Sequence, residues 1–394
     1  MSSSDSLSLQ IAYTPSGGAS WTGGLTYQKN LVTALQEYAP HVKIYMLTEQ
    51  VGKLSFQDDK SISVRYPPSA SKFSSLVNRI TQHFGYDFLL AKTLRSIPGG
   101  DVNLIFPGRF RAQKGVAVLN WIPDFQYIHL PEMYSRHQIE DLNDKFKQGI
   151  GNSTLVLLSS QDAYNDFQKF SPQTTHKARV MHFVAHIPKN LYEADLQGVI
   201  DQYHLPEKFI YLPNQFWKHK NHLIVFEAMR ILNSKKVYPF VVCTGNPVDS
   251  RNPLYFAELI QRISEWNLRS QVAFLGLIPH SHVYMLIRQS ICVINPSLFE
   301  GWSTTVEEAK SVGKRVLLSD LSVHREQNPP ESVYFDPHDP TQLADILAEY
   351  WGGGQPGPDL ELEQKARYDI PDRTKKFVET FVSIASEAVG MAQG

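Results

Sequence analysis

The sequence predicts an α/β protein built from two Rossmann-like, doubly wound parallel-sheet domains. Short apolar segments rich in β-branched residues alternate with helical patterns along most of the chain, which is typical of βαβ units. One long polar connector interrupts this alternation, and 394 residues suffice for two cores. We therefore expect a first domain over residues 1–195 and a second over 196–371. A final helix over about 372–394 is expected to pack back on the first domain.

The first half of the chain alternates strands with amphipathic stretches. Helical patterns run from Gly24 to about Glu37, across 72–95 and from residue 132. The strand segments read, in order, LQIAYT, VKIYMLT, ISVRYP, VNLIF, VAVLNWI, TLVLLSS and ARVMHFV. This order predicts a parallel sheet with crossover helices.

The second half resumes the pattern after the connector NLYEADLQGVIDQYHLPEK. Helices are predicted from about 220, across 254–266, over SHVYMLIRQS and over VEEAKSVG, where Gly313 would be the C-cap. The strand segments are FIYLPN, FVVCTG, VAFLG, CVINPS, RVLLSD and VYFDP. GGGQPGPDL is predicted to be a flexible loop before the final helix.

Bulk composition is that of a globular protein, and we expect a cytoplasmic one. Hydrophobic residues make up 42% and charged residues 20% of the chain. No apolar run approaches the roughly 18 residues needed to cross a bilayer, and MSSSDSLSLQ lacks a signal-peptide pattern. Cys243 and Cys292 lie in predicted strands without metal-ligand spacing, so both are expected in the core. With a net charge of −1, no nucleic-acid partner is expected.

Charge is distributed unevenly between the two halves. Residues 1–190 carry 19 Lys and Arg against 14 Asp and Glu, which leaves 38 − 19 = 19 against 39 − 14 = 25 for the rest. Several of the positive charges lie beside apolar faces in KFSSLVNRITQHFGYDFLLAKTLR, residues 72–95. This segment could suit a membrane surface or an anionic acceptor. The alternative is a core-facing helix with a solvated basic rim.

Several nucleotide-binding and metal-binding patterns are missing. No GxGxxG follows a strand, and Gly313–Lys314 lacks the other residues of a P-loop. No Asp-x-Asp is present to hold a divalent metal on a diphosphate. We therefore expect no metal and no resident cofactor, and any phosphate site must use backbone N–H groups and basic side chains.

FEGWSTTVEEA, at residues 299–309, lies between a predicted buried strand and a predicted helix. Such turns bind ligands in open α/β sheets, because the next helix presents free N–H groups and partial positive charge. An anion would fit there. The alternative is a capping box between Thr304 and Glu307. That box would explain Glu307 but neither Glu300 nor Glu308.

Two further turns are candidates. PNQFWKHKNH, at 213–222, follows the first strand of the second domain and contains Lys218 and Lys220, whose ammonium groups could meet a diphosphate. By itself it could equally be an exposed basic turn. SGGASWTGG, at 16–24, has glycines that would let the backbone approach a ligand.

Together these turns resemble the family 4 glycosyltransferases of GT-B fold. The family pattern PSxxEGFGxPxxEAxxxG is similar to NPSLFEGWSTTVEEAKSVG, in which Glu300 and Glu308 have the E-x7-E spacing. The resemblance also includes Gly23–Gly24 before a helix, the turn ending in Lys220, VAFLGLIPHSHV and SDLSVHREQ. It implies two domains that face each other across a donor/acceptor cleft.

The resemblance further implies a role for each matched residue. Glu300 would face the sugar hydroxyls, Glu308 the ribose, Lys220 the diphosphate, and the backbone from Ser303 to Val306 would donate N–H groups. Leu277 and Ile278 would lie near the base. The expected catalytic residues are Glu300, Lys220 and Asp124, and the expected donor-binding residues are Gly23, Gly24, Asn214, Gln215, Lys218, Gly245, Leu277, Ile278, Gly301, Trp302, Ser303, Thr304, Thr305 and Glu308.

Two positions depart from the family pattern. The usual Arg five residues before the Lys is Gln215 here, so Lys218 or Gln215 itself would have to replace it. The usual His-Asp pair is Pro123–Asp124, which leaves Asp124 or His129 for the sugar contact.

The expected activity is retaining, metal-independent transfer of a hexose from a nucleoside diphosphate sugar to the hydroxyl of a glycan, glycolipid or small molecule. By family analogy the pathway is polysaccharide or glycolipid biosynthesis. The alternatives are a nucleotide-sugar epimerase, a sugar phosphorylase and a catalytically silent nucleotide-sugar binder.

Overall fold

Two parallel β-sheets form the framework of the protein. A computed structural model of the chain describes residues 8–15, 22–48, 62–66, 72–97, 101–111 and 113–394. Packing divides the chain into two compact units. Unit 1 comprises residues 1–125, 135–184 and 373–394, and unit 2 comprises 126–134 and 185–372. Neither unit is one continuous stretch of sequence.

Unit 1 is built on a seven-stranded parallel sheet of order β3-β2-β1-β4-β5-β6-β7. The strands are β1 (Gln10–Tyr13), β2 (Lys43–Thr48), β3 (Ile62–Arg65), β4 (Leu104–Phe106), β5 (Ala117–Ile122), β6 (Leu155–Leu158) and β7 (Ala178–Val180). The helices of this part of the chain are α1 (Thr22–Tyr38), α2 (Lys72–His83), α3 (Phe88–Arg95), α5 (Arg136–Asn152) and α6 (Gln161–Phe170). Strand residues of β1, β4 and β6 are buried throughout, because helices cover both faces of a doubly wound sheet.

Unit 2 is built on a six-stranded parallel sheet of order β10-β9-β8-β11-β12-β13. The strands are β8 (Ile210–Leu212), β9 (Val241–Cys243), β10 (Val272–Phe274), β11 (Cys292–Asn295), β12 (Val316–Ser319) and β13 (Val333–Phe335). The helices are α4 (Gln126–His129), α7 (Leu196–Gln202), α8 (His222–Ser234), α9 (Tyr255–Glu265), α10 (His280–Gln289), α11 (Thr304–Val312), α12 (Ser322–Gln327) and α13 (Pro340–Gly353). Cys243 and Cys292 are both fully buried in this core, as expected.

The segment 72–95 is two helices, not the single helix expected. The first ends at His83, and Asp87 begins the second, because its side chain accepts the N–H of Leu90 at 2.7 Å as the N-cap of α3. Leu89, Leu90, Ala91 and Leu94 of α3 are buried, so the core-facing interpretation is right for this helix. It is wrong for α2, whose Phe73 and Ile80 are 74% and 53% exposed.

The last helix is longer than expected. It is α14 (Leu360–Gln393), which starts about twelve residues before the predicted position and contains Pro371. Its final part belongs to unit 1, where Phe377 and Phe381 pack edge-on against Tyr27 and Phe106. Among the described residues, no helix is long and apolar enough to cross a membrane.

Candidate active site

The predicted phosphate-binding turns of unit 2 meet at the switch point of its sheet. Strands β8 and β11 are neighbours, and the strand order reverses between them. The turn after β8 carries Asn214 and Lys220, and the turn after β11 carries Glu300. Since ligands of open α/β sheets bind outside the carboxyl ends of the strands at this point, the two turns form a candidate site.

Lys220 and Glu300 form a buried ion pair at this position. The Lys220 Nζ lies 2.7 Å from the Glu300 Oε1, and the two side chains are only 14% and 8% exposed. Burial raises the pKa of Glu300, but the Lys220 ammonium and the hydrogen bonds from Lys220 and Ser297 outweigh it, so this pKa lies below its ordinary value. Glu300 is therefore ionised at neutral pH.

Asn295, at the end of β11, organises the polar groups around this pair. Its Nδ2 donates to Glu300 Oε1 at 3.2 Å and to Ser303 Oγ at 2.7 Å. Its Oδ1 accepts from Asn214 Nδ2 at 3.1 Å and from the backbone N–H of Ser297 at 3.3 Å. Thr305 Oγ1 extends the network by donating to Asn214 Oδ1 at 2.9 Å. Because every member is hydrogen-bonded and shielded from water, the network fixes the position of the Glu300 carboxylate.

Ser303 is the N-cap of α11, so the capping box expected between Thr304 and Glu307 is wrong. The Ser303 Oγ accepts the N–H of Val306 at 3.4 Å. Glu307 is 1% exposed and accepts instead from Gln327 Nε2 at 3.2 Å. The prediction placed the helix start one residue late, and that shift moves Glu307 out of the capping position. Gly313 ends the helix in the left-handed conformation with φ 84°, as predicted.

Gln327, on α12, holds the start of α11 from three sides. Its Oε1 accepts the N–H of Ser303 at 3.1 Å, and its Nε2 donates to the Ser303 carbonyl at 3.1 Å and to Glu307. The N–H groups of Ser303 and Val306 therefore already make hydrogen bonds within the protein. From the sequence we had expected both groups to donate to a ligand. Thr304 and Thr305 also lie in the first turn, where N–H groups have no acceptor within the helix.

Glu308 faces the first residue of α10, His280. Its Oε1 lies 2.7 Å from the Nε2 of His280, and the Glu308 side chain is 8% exposed whereas His280 is 45% exposed. A carboxylate can only accept, so the His280 Nε2 carries the proton of this hydrogen bond. Glu300 and Glu308 therefore have separate partners, Lys220 and His280, and both lie on unit 2.

Two buried histidines near the pair were not predicted as site residues. His324, on α12, is fully buried, and its Nδ1 lies 2.8 Å from the Ser319 carbonyl. Its Nε2 has no partner among the described residues. Burial lowers the pKa of both His324 and His219, and Lys220 lowers the pKa of His219 further. Both rings are therefore neutral at pH 7. The one sequence feature that could have pointed to His324 is its position inside SDLSVHREQ, a segment that resembles the family pattern.

The remaining predicted residues of unit 2 line the neighbouring turns. Gln215 Oε1 accepts the N–H of Asn246 at 2.7 Å, which fixes the loop after β9. Gly245 has φ 137°, and a Cβ there would lie 2.4 Å from the Asn214 carbonyl oxygen, so only glycine lets the two turns approach. The side chain of Lys218 is exposed. Between β10 and α10, Leu277 is 61% exposed and Ile278 is half-buried, while Gly301 and Trp302 are half-buried beside Glu300.

His129 belongs to unit 2 through the segment 126–134. Its ring lies 5.0 Å from the ring of Phe299, the neighbour of Glu300. Arg251 holds this segment: its Nη1 donates to Tyr134 Oη at 2.6 Å and to Gln126 Oε1 at 3.0 Å. The structure thus brings the segment of His129 to the end of β11. The other three predicted residues, Gly23, Gly24 and Asp124, belong to unit 1.

Within unit 1 these three residues occupy two positions. Gly23 and Gly24 lie in the first turn of α1, not ahead of the helix as expected, because α1 begins at Thr22. Gln28 Nε2 donates to the Gly24 carbonyl at 3.1 Å. Asp124 is half-buried just after β5. Most of SGGASWTGG lies outside the described residues. In the described part of the chain, no group of three or more His, Cys, Asp or Glu side chains is placed to hold a metal ion.

A comparison with known protein families indicates the enzyme class to which the sequence of unit 2 is similar. Residues 201–355 match the family model described as "Glycosyl transferases group 1", which is less than half of the chain. This stretch contains β8 to β13 and the Lys220–Glu300 pair. The enzyme class indicated by the match is glycosyltransferase. No curated protein matches the chain in sequence.

Solved glycosyltransferases share the fold over nearly the whole chain. Alr3699/HepE of Anabaena, determined with UDP and glucose, has 15% identity and a TM-score of 0.62, and the alignment covers 98% of this chain and 97% of that one. A glycosyltransferase from Rickettsia africae has 14% identity and a TM-score of 0.64, with coverage of 97% and 99%. Sucrose-phosphate synthase from Thermosynechococcus elongatus has 15% identity and a TM-score of 0.60, with coverage of 96% and 97%. The fold is therefore GT-B, as predicted.

Proposed function

We propose that the protein is a retaining, metal-independent hexosyltransferase that uses a nucleoside diphosphate sugar. The observation that carries this proposal is the Lys220–Glu300 pair, which lies beside the first turn of α11 at the switch point of the sheet. An ammonium group, the N–H groups of Thr304 and Thr305 and a helix N-terminus together provide positive potential for a diphosphate. The group 1 family match over the same residues supports the assignment.

In the proposed reaction the bond between the anomeric carbon and the diphosphate oxygen breaks, and the electron pair goes to the diphosphate. Lys220 and the first turn of α11 stabilise the charge that develops there. The acceptor oxygen bonds to the anomeric carbon on the same face, and its proton passes to the departing phosphate oxygen. The Glu300 carboxylate, held by Asn295 and Ser297, accepts hydrogen bonds from sugar hydroxyls and stabilises positive charge on the ring.

The family resemblance supports the other proposed roles. Glu308 binds the ribose hydroxyls, Leu277 and Ile278 line the base, and His129 or Asp124 contacts the sugar. Lys218 supplies the positive charge that the family pattern places at Gln215, because the Gln215 Oε1 is bonded to Asn246. The acceptor is a glycan, a glycolipid or a small molecule, and we propose that the protein acts in the cytoplasm in polysaccharide or glycolipid biosynthesis.

A donor and acceptor screen tests the proposal. The protein is incubated with UDP-glucose first, because HepE was determined with UDP and glucose, and then with other nucleotide sugars. Nucleoside diphosphate release that requires an acceptor, an α-linked product from an α-linked donor and full activity in EDTA are expected. Isomerisation of the donor without acceptor would point to an epimerase. Release of a sugar 1-phosphate from a glycan when inorganic phosphate is supplied in place of a nucleotide sugar would point to a phosphorylase. Tight binding without turnover across the panel would support a silent binder, and a tenfold loss in EDTA would contradict the metal-independent mechanism.

A further inference from the structure

Helix α2 exposes its apolar side chains and turns polar ones inward. Phe73, Leu76 and Ile80 are 74%, 55% and 53% exposed, and Phe84, just after the helix, is 80% exposed. At about 100° per residue the three of these side chains that lie within the helix, Phe73, Leu76 and Ile80, fall within an arc of about 60° on one face. We call this face, Phe73, Leu76, Ile80 and Phe84, the α2 stripe.

The opposite face of α2 is fixed to the protein by hydrogen bonds. Asn78 is buried, and its Oδ1 accepts the N–H of Leu89 at 2.8 Å. Gln82 Nε2 donates to Asp87 Oδ2 at 2.9 Å, and the Gln82 carbonyl accepts from Gln148 Nε2 at 3.3 Å. A surface helix of a globular protein ordinarily has the reverse arrangement, with its apolar stripe toward the core. An exposed apolar face of this kind marks a contact surface.

The exposed charged residues within 72–97 are positive. Residues 72–97 contain Lys72, Arg79, Lys92 and Arg95. Arg79, Lys92 and Arg95 are exposed. The acidic residue of this segment, Asp87, is 3% exposed, and it accepts hydrogen bonds from Tyr66 and Gln82. The exposed surface of the segment therefore combines apolar side chains with cations, which is the composition of helices that lie in the interface of an anionic bilayer.

We propose that the α2 stripe docks the protein on a membrane surface rich in anionic lipids. Phe73, Leu76, Ile80 and Phe84 enter the boundary between headgroups and acyl chains, and Arg79 and its basic neighbours contact lipid phosphates. A second copy of the chain fits this surface poorly, because it would bring the same positive charges. The twelve-residue helix is also only about 18 Å long, which is too small for the roughly 800 Å² that each partner buries in a stable dimer.

Vesicle co-sedimentation tests this proposal without donor or acceptor, so its outcome does not depend on the proposed reaction. The wild type should bind phosphatidylcholine vesicles that contain phosphatidylglycerol, and binding should weaken at least tenfold with pure phosphatidylcholine or in high salt. Phe73→Ser combined with Ile80→Ser should reduce binding at least tenfold. Arg79→Glu should reduce it several-fold on anionic vesicles.

A matched control removes two equally exposed apolar side chains elsewhere. Leu360→Ser combined with Tyr368→Ser changes residues that are 75% and 81% exposed on α14, and it should bind vesicles like the wild type. Circular dichroism melting establishes that each variant is folded. Equal vesicle binding by the wild type and the α2 double variant would overturn the proposal. So would a wild-type dimer, detected by sedimentation velocity, that the α2 double variant loses while neither protein binds vesicles.

Discussion

The Lys220 ammonium lies 2.7 Å from the Glu300 carboxylate, and this pair joins the turn after β8 to the turn after β11. Both groups are nearly buried, so each depends on the other for compensation of its charge. The same carboxylate accepts hydrogen bonds from Asn295 and Ser297. In the proposed complex, a diphosphate therefore approaches an ammonium group whose position the Glu300 carboxylate already fixes.

Glu300→Gln should mainly lower turnover. Glutamine can still accept from Ser297, but it lacks the charge that stabilises a positive sugar ring, so kcat should fall at least tenfold while the donor Kd changes less than about threefold. Steady-state kinetics and calorimetry measure the two effects. Glu265→Gln, an exposed carboxylate on α9, is the control. A folded Glu300→Gln protein with full kcat would remove Glu300 from the proposed mechanism.

Glu308→Gln should mainly weaken donor binding. Its carboxylate is the acceptor for His280, and in the proposed complex it accepts from the ribose hydroxyls, so the donor Kd should rise about tenfold with kcat nearly unchanged. Calorimetry with the donor and with the corresponding sugar phosphate, which lacks ribose, isolates the proposed ribose contact. Glu308→Gln should weaken binding of the donor but not binding of the sugar phosphate. If the melting temperature falls and the Kd does not change, Glu308 serves only to hold α10 against α11.

Gln327→Leu should destabilise unit 2 and weaken donor binding together. The substitution removes the partners of Ser303 N–H, Ser303 carbonyl and Glu307, and each buried group left unpaired costs about 1–3 kcal/mol. We expect the free energy of unfolding to fall by at least about 2 kcal/mol in urea titrations. Gln261→Leu, on the exposed face of α9, should change it little. If Gln327→Leu changes neither the stability nor the donor affinity, the N-cap at Ser303 does not depend on the hydrogen bonds from Gln327.

Lys314 should make stability depend on pH above neutrality. Its side chain is 4% exposed, and burial lowers its pKa to about 8, against about 10.4 when unfolded. A lowered pKa in the folded state means that the contribution of Lys314 is complete above pH 10.4 and is lost as the pH falls through 8. Relative to Lys314→Met, the wild type should therefore gain up to about 3 kcal/mol from pH 7 to pH 10.5. Urea titrations at each pH measure the free energy of unfolding of both proteins. If it changes with pH by the same amount in the wild type and in Lys314→Met, the lowered pKa of Lys314 is contradicted. Lys235→Met, which replaces an exposed lysine, is the control.

Arg251→Lys should lower activity through His129. Lysine keeps the positive charge but cannot hold Tyr134 and Gln126 in the same geometry, so the segment 126–134 and the ring of His129 should lose their position beside Phe299. We expect kcat/KM to fall at least fivefold. His129→Ala should then add little in the Arg251→Lys background, which a double-mutant cycle measures. Fully additive losses would show that the two residues act separately. Arg230→Lys, stacked on Trp266, is the control.

The strands and the E-x7-E pair could be predicted from the sequence because apolar periodicity and local spacing determine them. The start of α11 could not, because Ser303, Thr304 and Thr305 are all plausible N-caps and Gln327, 24 residues away, holds Ser303 in that position. The role of Asn295 could not be predicted for a similar reason. A single polar residue at the end of an apolar strand is not part of any local sequence pattern, and its hydrogen-bond partners come from two separate turns. The outward face of α2 was not predicted, because an amphipathic pattern does not say which side faces the core.

The arrangement of α14 has a consequence for the order in which the chain can fold during synthesis. The aromatic cluster of unit 1 includes Phe377 and Phe381, which contact Tyr27 and Phe106. Phe377 and Phe381 leave the ribosome after the whole of unit 2, whereas α1 and β4, which they contact, emerge before it. Unit 1 must therefore wait, with part of its core open, until translation of unit 2 is finished. During that interval it exposes apolar surface of the kind that chaperones bind, and translation rate becomes a determinant of the yield of folded protein.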